Sequence, residues 1–278
     1  MPLEKADFTG TRATMLATLY GRALHSRSAN PVLHDPYAEE AVRRIDHDFD
    51  STGLRGDDAL SIAIRGRAFD DLTAERLAAN PDVTVLHLGC GLDSRGRRLD
   101  PPPSVEWYDV DFPEVIELRN RIYPGREHHH TIASSVTAPD LLRDVPADKP
   151  ALVIAEGLTM YLEPAEGIAL LRRITEHFPS GHLICDVHSP LAVRWAVVNR
   201  VVRAAKARLT WGVRSGAELE RAVPGLLLDR QRTFFDLPGL DRLEPAYRTL
   251  VRALGKIPAF RDLALILSMH FDRTSPTR

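Results

Sequence analysis

Two glycines flank a cysteine at the end of an apolar run, and three arginines follow. The stretch reads VTVLHLGCGLDSRGRRLD from Val83 to Asp100, with Gly89 and Gly91 as the two glycines. Residues without side chains permit a tight turn and let a ligand approach the backbone closely. A dinucleotide fingerprint, G-x-G-x-x-G, would need a third glycine at a position that holds Ser94. The pattern therefore indicates a ligand-binding turn, while a pyrophosphate ligand and a dehydrogenase are disfavoured.

Two aspartates end the next apolar run, WYDVDFP, and alternate with Val110 so that both share one face. Asp109 lies 20 residues after Gly89, and Asp111 lies 20 residues after Gly91. An acid at the end of the second strand of an open α/β sheet can accept hydrogen bonds from both ribose hydroxyls of a nucleoside. A nucleoside without a pyrophosphate indicates S-adenosylmethionine. The alternative is that one aspartate only caps the following helix.

Three motifs, VLHLGCGLDSRGRRL, WYDVDFPEVIELR and VIAEGLTMYL, carry a resemblance to a known family. In this order and spacing they resemble the leucine carboxyl methyltransferase family, in particular its actinobacterial branch of tetracenomycin-type polyketide carboxyl O-methyltransferases. The segment LYGRALHSRSANPVLHDPYA and the closing helices also resemble that branch, so the similarity covers nearly the whole chain. The resemblance implies a class I methyltransferase fold, seven strands with the last one antiparallel, S-adenosylmethionine as cofactor and no metal.

The resemblance assigns the methionine and ribose parts of the cofactor site to the glycine turn and the end of the second strand. Gly89 and Gly91 match the turn that passes under the methionine part of the cofactor. Asp111 matches the acid that binds the ribose, and Asp109 is the reserve for that role. These assignments agree with the positions of the same residues at the ends of the first two predicted strands.

The resemblance also implies two charged contacts. Arg65, in IAIRGRAFD, matches an arginine that holds the cofactor's carboxylate, as a guanidinium can with two parallel charge-assisted hydrogen bonds; Arg67 is the alternative. Glu156, after the fourth predicted strand, matches an acid near the cofactor's amino group, or else only caps the next turn. Where many class I methyltransferases have an adenine-reading acid, this chain has Ser135 and Val136, which are the candidates to lie beside adenine, with Ser135 able to donate a hydrogen bond.

Methyl transfer from a sulfonium is an in-line displacement with a neutral leaving group, so the enzyme mainly aligns the acceptor and excludes water. Such positioning can supply about 7–11 kcal/mol. A carboxylate is already ionised at pH 7, whereas a phenol with a pKa of about 10 would gain from a base. His188, after the fifth predicted strand, is the candidate base. It would matter for a phenol, be dispensable for a carboxylate, or be only structural.

A basic segment follows the fifth predicted strand. From Val187 to Ala217 there are six bases and no acid, and Val193, Val197 and Val201 recur four apart. This pattern predicts a basic amphipathic helix that caps the acceptor site and suits an anionic aromatic molecule, although a solvated cationic face or a membrane-surface helix would look alike. The candidate acceptor-binding residues, several of which could equally pack in the core, are Met160, Tyr161, Arg194, Trp195 and Trp211.

The elements that must position these residues alternate between strand and helix. Such alternation predicts an α/β fold with a doubly wound, Rossmann-like sheet that binds ligands at the carboxyl ends of its strands. Asp35 is a plausible N-cap before Pro36, and Pro113 and Pro164 open later helices. The predicted strands are Val83–Leu88, Val105–Val110, His130–Ser134, Ala151–Ala155 and His182–Val187.

The chain is expected to form a single S-adenosylmethionine-dependent methyltransferase domain over residues 1–278. A long helix is predicted near Pro190–Leu209 and a strand around Leu226–Phe235, and the closing run LALILSMHF could pair as a hairpin-like strand. The predicted parts are an N-terminal helical part (1–75), a cofactor-binding core (76–187), a helical cap (188–215) and C-terminal strands and helices (216–278).

Composition excludes several other classes. Thirty-eight acids against thirty-six bases leave a net charge of −2, which gives no general case for nucleic-acid binding. Cys90 and Cys185 form neither a metal-spaced cluster nor a disulfide framework. In the run His128–His130, only the first and last histidines could share an ion, because strand neighbours point to opposite faces. No apolar run approaches the ~20 residues of a membrane span, and no signal peptide is evident.

The sequence thus predicts a cytoplasmic O-methyltransferase that acts on the carboxyl group of a small, polyketide-like acid, with neither nucleic acid nor membrane as a partner. A phenolic O-methyltransferase of secondary metabolism is the alternative enzyme. A protein that binds S-adenosylmethionine without catalysis is the alternative from another class, since the cofactor-binding residues indicate only that binding is preserved. The oligomeric state does not follow from the sequence.

Overall fold

The computed structural model describes residues 3–273 apart from 7, 9, 55, 197–202 and 204–205. A mixed seven-stranded sheet lies at its centre, in the order β3-β2-β1-β4-β5-β7-β6. The last strand of the chain runs antiparallel to both of its neighbours, as the resemblance implied. The strands are β1 (Thr84–Leu88), β2 (Glu106–Asp111), β3 (His129–Ala133), β4 (Ala151–Ala155), β5 (Ser180–His188), β6 (Leu226–Thr233) and β7 (Ala264–Asp272).

Helices surround this sheet, and a two-residue strand pair, Glu4–Lys5 with Ile45–Asp46, lies near the N-terminal helices. Among the described residues no helix has the length and apolar character needed to cross a membrane. The helices are α1 (Thr11–Ser26), α2 (Pro36–Arg44), α3 (Gly56–Ala79), α4 (Arg95–Arg98), α5 (Pro113–Ile122), α6 (Pro164–His177), α7 (Pro190–Trp195), α8 (Gly216–Ala222), α9 (Pro245–Leu254) and α10 (Pro258–Arg261). Single turns of 3-10 helix cover Phe49–Thr52, Thr159–Tyr161, Phe234–Asp236 and Leu240–Arg242.

Alternating residues of the strands fill two apolar layers. Leu86 and Val153 pack into the cluster on one face of the sheet, and Val85 and Ile154 pack into the cluster on the other. Helices cover both faces, so strands β1 and β4 are buried throughout and read as continuous apolar runs. The doubly wound α/β architecture predicted from the alternation of strands and helices is confirmed.

Local signals placed the predicted elements well. Asp35 caps α2 by accepting a hydrogen bond from the Ala38 N–H at 2.9 Å, and Pro36 opens the helix. The predicted strand His182–Val187 is longer in the structure, because β5 pairs with β7 along its whole length, from Ser180 to His188. The closing run, predicted to form a hairpin-like strand, is β7, which lies between β5 and β6 rather than at the sheet edge.

The predicted long helix near Pro190–Leu209 is wrong at its C-terminal end. Helix α7 begins at Pro190, but residues 207–210 are not helical. Tertiary hydrogen bonds hold this segment instead, because Thr210 donates its N–H to the Met160 carbonyl at 2.8 Å and its hydroxyl to the Leu162 carbonyl at 2.7 Å. Three members of the predicted basic amphipathic pattern, Val197, Arg200 and Val201, lie outside the described residues.

Candidate active site

A cavity of about 420 Å³ opens at the carboxyl edge of the sheet. Its lining includes Asp111 at the end of β2 and Ile266 near the start of β7, which are four strand spacings apart. Because neighbouring strands lie about 4.8 Å apart, the cavity extends on the order of 19 Å across the sheet edge. Helices α1 and α3 contribute Met15 and Ile62 to its walls. These dimensions suit two ligands placed side by side.

The glycine turn between β1 and α4 forms part of the cavity wall. Gly89 and Gly91 have φ angles of +61° and +49°, in the left-handed region that favours glycine. A Cβ atom on Gly89 would lie 3.0 Å from Cδ1 of Leu158, and one on Gly91 would lie 3.4 Å from Cβ of Met15. The turn therefore depends on both missing side chains, and its bare backbone borders the cavity.

Asp111 lies beside this turn and lines the cavity. One carboxylate oxygen accepts a hydrogen bond from the Gly91 N–H at 2.8 Å, and the other accepts one from the Phe112 N–H at 2.8 Å. A carboxylate offers about four lone-pair sites, so these two bonds leave acceptor capacity for a ligand. Burial raises the pKa of Asp111, and the two backbone N–H groups partly offset that effect.

Asp109, the reserve for the same role, has a different environment. It is buried and accepts hydrogen bonds from Arg119 at 2.6 Å, from Trp107 at 3.0 Å and shares one with His87 at 2.9 Å. Burial opposes ionisation, but the Arg119 guanidinium holds the pKa of Asp109 well below its usual range. Asp109 therefore anchors a buried ion pair, whereas Asp111 borders the cavity.

Arg65 and Glu156 lie together in the cavity wall. The Arg65 Nε donates to one Glu156 oxygen at 2.9 Å, and its Nη1 lies 3.3 Å from an Asp186 oxygen. Arg67, the alternative to Arg65, instead pairs with Asp71 at 2.7 Å and is half exposed. The two positions differ because residues two apart on a helix face different directions.

Arg95 is a site residue that the sequence interpretation missed. Its fully buried guanidinium lies 2.7 Å from Asp70, 2.8 Å from Asp93 and 2.5 Å from Glu156. Burial alone would lower the pKa of Arg95, but the three carboxylates hold it above its usual value. The available signal was the arginine-rich stretch after the glycine turn. Asp93 is two residues from Arg95, but Asp70 and Glu156 are 25 and 61 residues away in sequence, so those two pairings could not be predicted from the sequence.

Ser94, at the position of a dinucleotide fingerprint's third glycine, belongs to the same buried charge network. Its hydroxyl donates to Asp35 at 2.6 Å, and Arg98 donates to the Ser94 oxygen at 3.0 Å. Asp35 also pairs with Arg22 at 3.2 Å, so one residue both caps α2 and joins the network. Ser94 thus has a structural role that a glycine could not fill.

Asp186 is a second missed residue, and unlike Arg95 it belongs to the described cavity lining. It follows Cys185 in β5, and one of its oxygens accepts a hydrogen bond from the Gly157 N–H at 2.7 Å. Burial raises the pKa of Asp186 in spite of its contact with Arg65. The sequence signal for it was an acid near the end of the fifth predicted strand, the same kind of position that singled out Glu156.

His188, the candidate base, lies at the end of β5 and borders the cavity. Burial lowers the pKa of His188, although Asp186 acts in the opposite direction, so the net effect favours the neutral imidazole. Its Nδ1 atom is buried and makes no hydrogen bond to another described residue. Among the described residues, no group therefore orients the imidazole through Nδ1.

Met160 and Tyr161 also line the cavity, as predicted for acceptor-binding residues. Burial raises the pKa of Tyr161, and a hydrogen bond with Thr14 partly offsets this effect. Both residues lie in a turn of 3-10 helix that follows β4. Only a few residues of backbone separate this turn from Glu156, so the two parts of the cavity lining are positioned together.

Arg194, Trp195 and Trp211 lie elsewhere, and the described lining of the cavity does not include them. Trp211 is 6% exposed and packs against α6 so closely that a Cβ atom on Gly167 would collide with its ring. Trp195 is 47% exposed, and its ring centroid lies 5.6 Å from that of Phe260. Arg194 is exposed.

The two residues predicted beside adenine are also outside the described cavity lining. Ser135 shares a hydrogen bond with the Thr137 hydroxyl at 3.0 Å, and Val136 packs into the apolar core. The cavity lining also includes apolar residues that were not predicted. They are Leu54, Ile62, Leu209, Phe234 and Leu237.

The histidine run has a simple structural partner. His128 and His130 contact the two oxygens of Glu106 at 2.9 and 2.7 Å, which agrees with the prediction that they share one side of the strand. These contacts lower the pKa of Glu106, first through the hydrogen bonds to His130 and His128. Across the described ranges, no group of three or more histidine, cysteine or acidic residues is arranged to hold a metal ion.

Comparison with known proteins decides the family. Residues 14–175 match the family model described as Leucine carboxyl methyltransferase. This chain belongs to that family. The matched region includes the glycine turn, Asp111 and Glu156, and it confirms the resemblance drawn from the three sequence motifs.

Individual relatives of this leucine carboxyl methyltransferase family member agree. It is 43% identical over 268 residues to the tetracenomycin polyketide synthesis O-methyltransferase TcmP of Streptomyces glaucescens, which covers 96% of this chain and 99% of TcmP. It is 36% identical to the S-adenosyl-L-methionine-dependent methyltransferase dpfgK of Gibberella zeae, over 83% of this chain and 84% of the relative. The chain is therefore an S-adenosylmethionine-dependent O-methyltransferase, as predicted.

Solved structures agree at the level of fold. A proposed methyltransferase from Thermobifida fusca superimposes with a TM-score of 0.56 over 95% of this chain and 96% of its own. The sequences are only 15% identical, so this similarity supports the fold alone. It confirms the class I methyltransferase architecture predicted for this member of the family.

Gly89→Ala is expected to lower both stability and cofactor affinity in this family member. A left-handed conformation costs a non-glycine residue on the order of 1–2 kcal/mol. The added Cβ atom would also press on Leu158, which shares the cavity wall. Thermal denaturation and calorimetric titration with S-adenosylmethionine measure the two effects.

Gly53→Ala is the matched control for Gly89→Ala. Gly53 has a φ angle of +71°, but a Cβ atom there would meet nothing within 4 Å, and Gly53 is absent from the described cavity lining. We expect a similar loss of stability and unchanged affinity. Equal losses of affinity in the two variants would mean that the turn has no special relation to the ligand.

Proposed function

We propose that this enzyme transfers the methyl group of S-adenosylmethionine to the carboxyl group of a small, polyketide-like acid. The observation that carries the choice of acceptor is the unpartnered Nδ1 of His188. A histidine that serves as a general base is normally oriented by a third group on its second ring nitrogen. Without such a group among the described residues, the site suits an acceptor that is already ionised, and a carboxylate meets that condition.

The relatives support the same substrate class. TcmP is named for O-methylation in tetracenomycin polyketide synthesis, and the matching family model is named for carboxyl methylation. The high coverage of both TcmP and this chain makes a shared type of acceptor a reasonable inference. We infer that the acceptor of this enzyme is an anionic aromatic molecule.

The residues present fit S-adenosylmethionine, which when bound supplies an electrophilic methyl group on a sulfonium. We infer that the backbone of Gly89 and Gly91 borders the methionine part, since the turn leaves no room for side chains there. Asp111 retains acceptor capacity for the ribose hydroxyls. Arg65 offers a guanidinium at the cavity wall for the cofactor's carboxylate.

The apolar part of the cavity is proposed to hold the acceptor. Its apolar wall, together with Met160 and Tyr161, would remove water from the face of an aromatic ring. Alignment of the acceptor oxygen with the methyl group, rather than proton transfer, would then supply most of the rate enhancement, on the order of 7–11 kcal/mol. The neutral imidazole of His188 could donate or accept one orienting hydrogen bond.

A phenolic acceptor is the second candidate, and the position of His188 at the cavity wall is the observation that favours it. Burial lowers the pKa of His188 and so favours the neutral imidazole, which could accept a phenol proton. The two candidates predict different products. A methyl ester releases its methyl group as methanol in mild alkali, whereas an aryl methyl ether does not.

His188→Ala separates these candidates. With an aromatic carboxylic acid and the corresponding phenol as paired acceptors, we expect the variant to keep most of its carboxyl transfer, within about tenfold. Transfer to the phenol should fall by about 10²–10⁴-fold, the usual contribution of a general base. The measurement is incorporation of labelled methyl from S-adenosylmethionine, followed by alkaline treatment of the products.

The control for this experiment is His130→Ala. His130 lies in the edge strand β3 beside Glu106 and is absent from the described cavity lining, so both rates should stay unchanged. Alkali-stable label from the wild-type enzyme as the main product would overturn the carboxyl assignment. Binding of S-adenosylmethionine without labelling of any aromatic acid or phenol would contradict both candidate acceptors.

A further inference from the structure

We propose that a second pocket, beside the active-site cavity, is an outer binding site for the aromatic carboxylate that accepts the methyl group. This outer pocket has a volume of about 400 Å³ and lies between α9 and the 3-10 turns that follow β6. Small-molecule sites have volumes of about 300–1,000 Å³, so the outer pocket is large enough for an aromatic ring system. The inference rests on the proposed function, because it takes the acceptor to be a carboxylate.

Leu237 places the outer pocket next to the active site. Its side chain is buried and lines both the outer pocket and the active-site cavity. It packs in the same apolar cluster as Val251 of α9, so this helix is joined to the cavity wall through core side chains. Burial raises the pKa of Tyr247 on the same helix, and Asp58 of the active-site cavity acts in the same direction. A molecule in the outer pocket would therefore lie beside the active-site cavity.

The outer pocket has an apolar surface. Phe235, Leu237, Leu240 and Val251 contribute to it. A Cβ atom on Gly255 would lie 2.9 Å from Cδ1 of Phe235, so the phenyl ring lies directly against the backbone at the end of α9. Removal of a flat ring from water onto such a surface is favourable.

The charged residues of the outer pocket are mostly cationic. Arg248, Arg252 and Lys256 line it, against a single acid, Asp241. Arg248 and Arg252 are one helical turn apart on α9, and Lys256 follows the end of that helix. Arg248 donates a hydrogen bond to the Asp241 backbone carbonyl at 2.5 Å, and none of the described residues forms an ion pair with Arg252 or Lys256. Free cations beside apolar side chains complement a ring that carries a carboxylate.

This charge distribution distinguishes the substrate from the product. Methyl transfer converts an anionic carboxylate into a neutral ester, so the product loses its attraction to the cations of the outer pocket. Positive charge at the rim of a site also raises the rate at which an anionic ligand associates. The outer pocket would therefore concentrate the acid beside the active site without retaining the ester.

A pair of probes with one ring system tests this selectivity. The probes are 2-naphthoate and methyl 2-naphthoate, titrated into the protein while methyl resonances are followed by NMR. Of the described residues, Leu240 and Val251 line the outer pocket and not the active-site cavity, whereas Leu54 and Ile62 line only the latter. We expect Leu240 and Val251 to report roughly 3- to 10-fold tighter binding of the acid, the range for two exposed charge pairs. The preference should vanish near 1 M salt, where the Debye length is about 3 Å.

Substitution of the two free cations gives the decisive comparison. Arg252→Gln combined with Lys256→Gln should remove the acid's preference at Leu240 and Val251, whereas Arg252→Lys keeps the charge and should keep the preference. Arg221→Gln is the matched control, because Arg221 is an exposed arginine in the last turn of α8, as Arg252 is in α9, and lies outside both described linings.

Two outcomes would overturn the outer site. One is an unchanged preference for the acid in the double variant, and the other is a set of shifts confined to Leu54 and Ile62. Because binding is measured without methyl transfer, the result is distinct from the test of the proposed function. An alkali-stable methylated product would overturn the carboxyl acceptor, while the selectivity of the outer pocket for aromatic carboxylates would still stand.

Discussion

Arg95→Met is expected to lower the free energy of unfolding by about 3–5 kcal/mol. The Arg95 side chain is 0% exposed and pairs with Asp70, Asp93 and Glu156. Methionine fills similar space but supplies no charge, so three buried carboxylates would lose a shared cation. Removal of one partner from a buried pair costs more than the pair itself contributes, because the remaining charge stays desolvated. Denaturation in urea, followed by two spectroscopic probes, measures the change.

Arg67→Met is the matched control for this substitution. Arg67 lies on α3, and its guanidinium pairs with Asp71 at 2.7 Å, but its side chain is 52% exposed. Exposed pairs contribute little, so the control should change stability by less than about 1 kcal/mol. A similar small effect for Arg95→Met would mean that the carboxylates around it take up protons or water at little cost, and the buried network would not be a stabilising feature.

Asp111→Ala is expected to weaken the binding of S-adenosylmethionine by about 100-fold or more. Two charge-assisted hydrogen bonds to ribose hydroxyls would be lost, each worth about 1.5–3 kcal/mol, where 1.4 kcal/mol corresponds to tenfold. The Gly91 N–H would also lose its acceptor, which loosens the turn. Calorimetric titration with S-adenosylmethionine and with NAD, on wild type and variant, measures the effect; the wild type should bind only the former.

Asp109→Ala provides the contrast, because Asp109 is paired with Arg119 and is absent from the described cavity lining. This variant should be less stable in denaturation experiments. Its affinity for S-adenosylmethionine should fall only as a consequence of that lower stability. Binding of NAD by the wild type would contradict the reading of Ser94 as a departure from the dinucleotide fingerprint. Unchanged affinity of Asp111→Ala for S-adenosylmethionine would mean that the ribose does not bind at this strand end.

Most of the fold could be predicted from local patterns. Apolar runs and prolines gave the strands β1 to β5 and the starts of α2, α5 and α6 within a few residues, because burial period and capping are encoded in neighbouring residues. The helix expected as far as Leu209 was wrong, because hydrogen bonds from Thr210 to Met160 and Leu162, about fifty residues away, override local helical spacing.

The candidate site was only partly accessible in the same way. The glycine turn follows from residue type, since positive φ angles favour glycine wherever they occur. Trp211 could not be assigned from sequence, because an aromatic side chain serves core packing and a ligand wall equally well. Its burial against Gly167 became evident only when α6 and the segment after α7 were placed together.

Residue types and their spacing were enough to predict the sheet, the bare turn after its first strand and the family to which the chain belongs. The pairing of the buried charges became evident only from the three-dimensional fold. Arg65 pairs with Glu156 across 91 residues of sequence, while Arg67 two positions away faces Asp71. Local patterns specify which residues are buried and how the backbone turns, whereas the partner of a buried charge is chosen by long-range packing, since each buried ion must find its counter-ion wherever the fold brings one within reach.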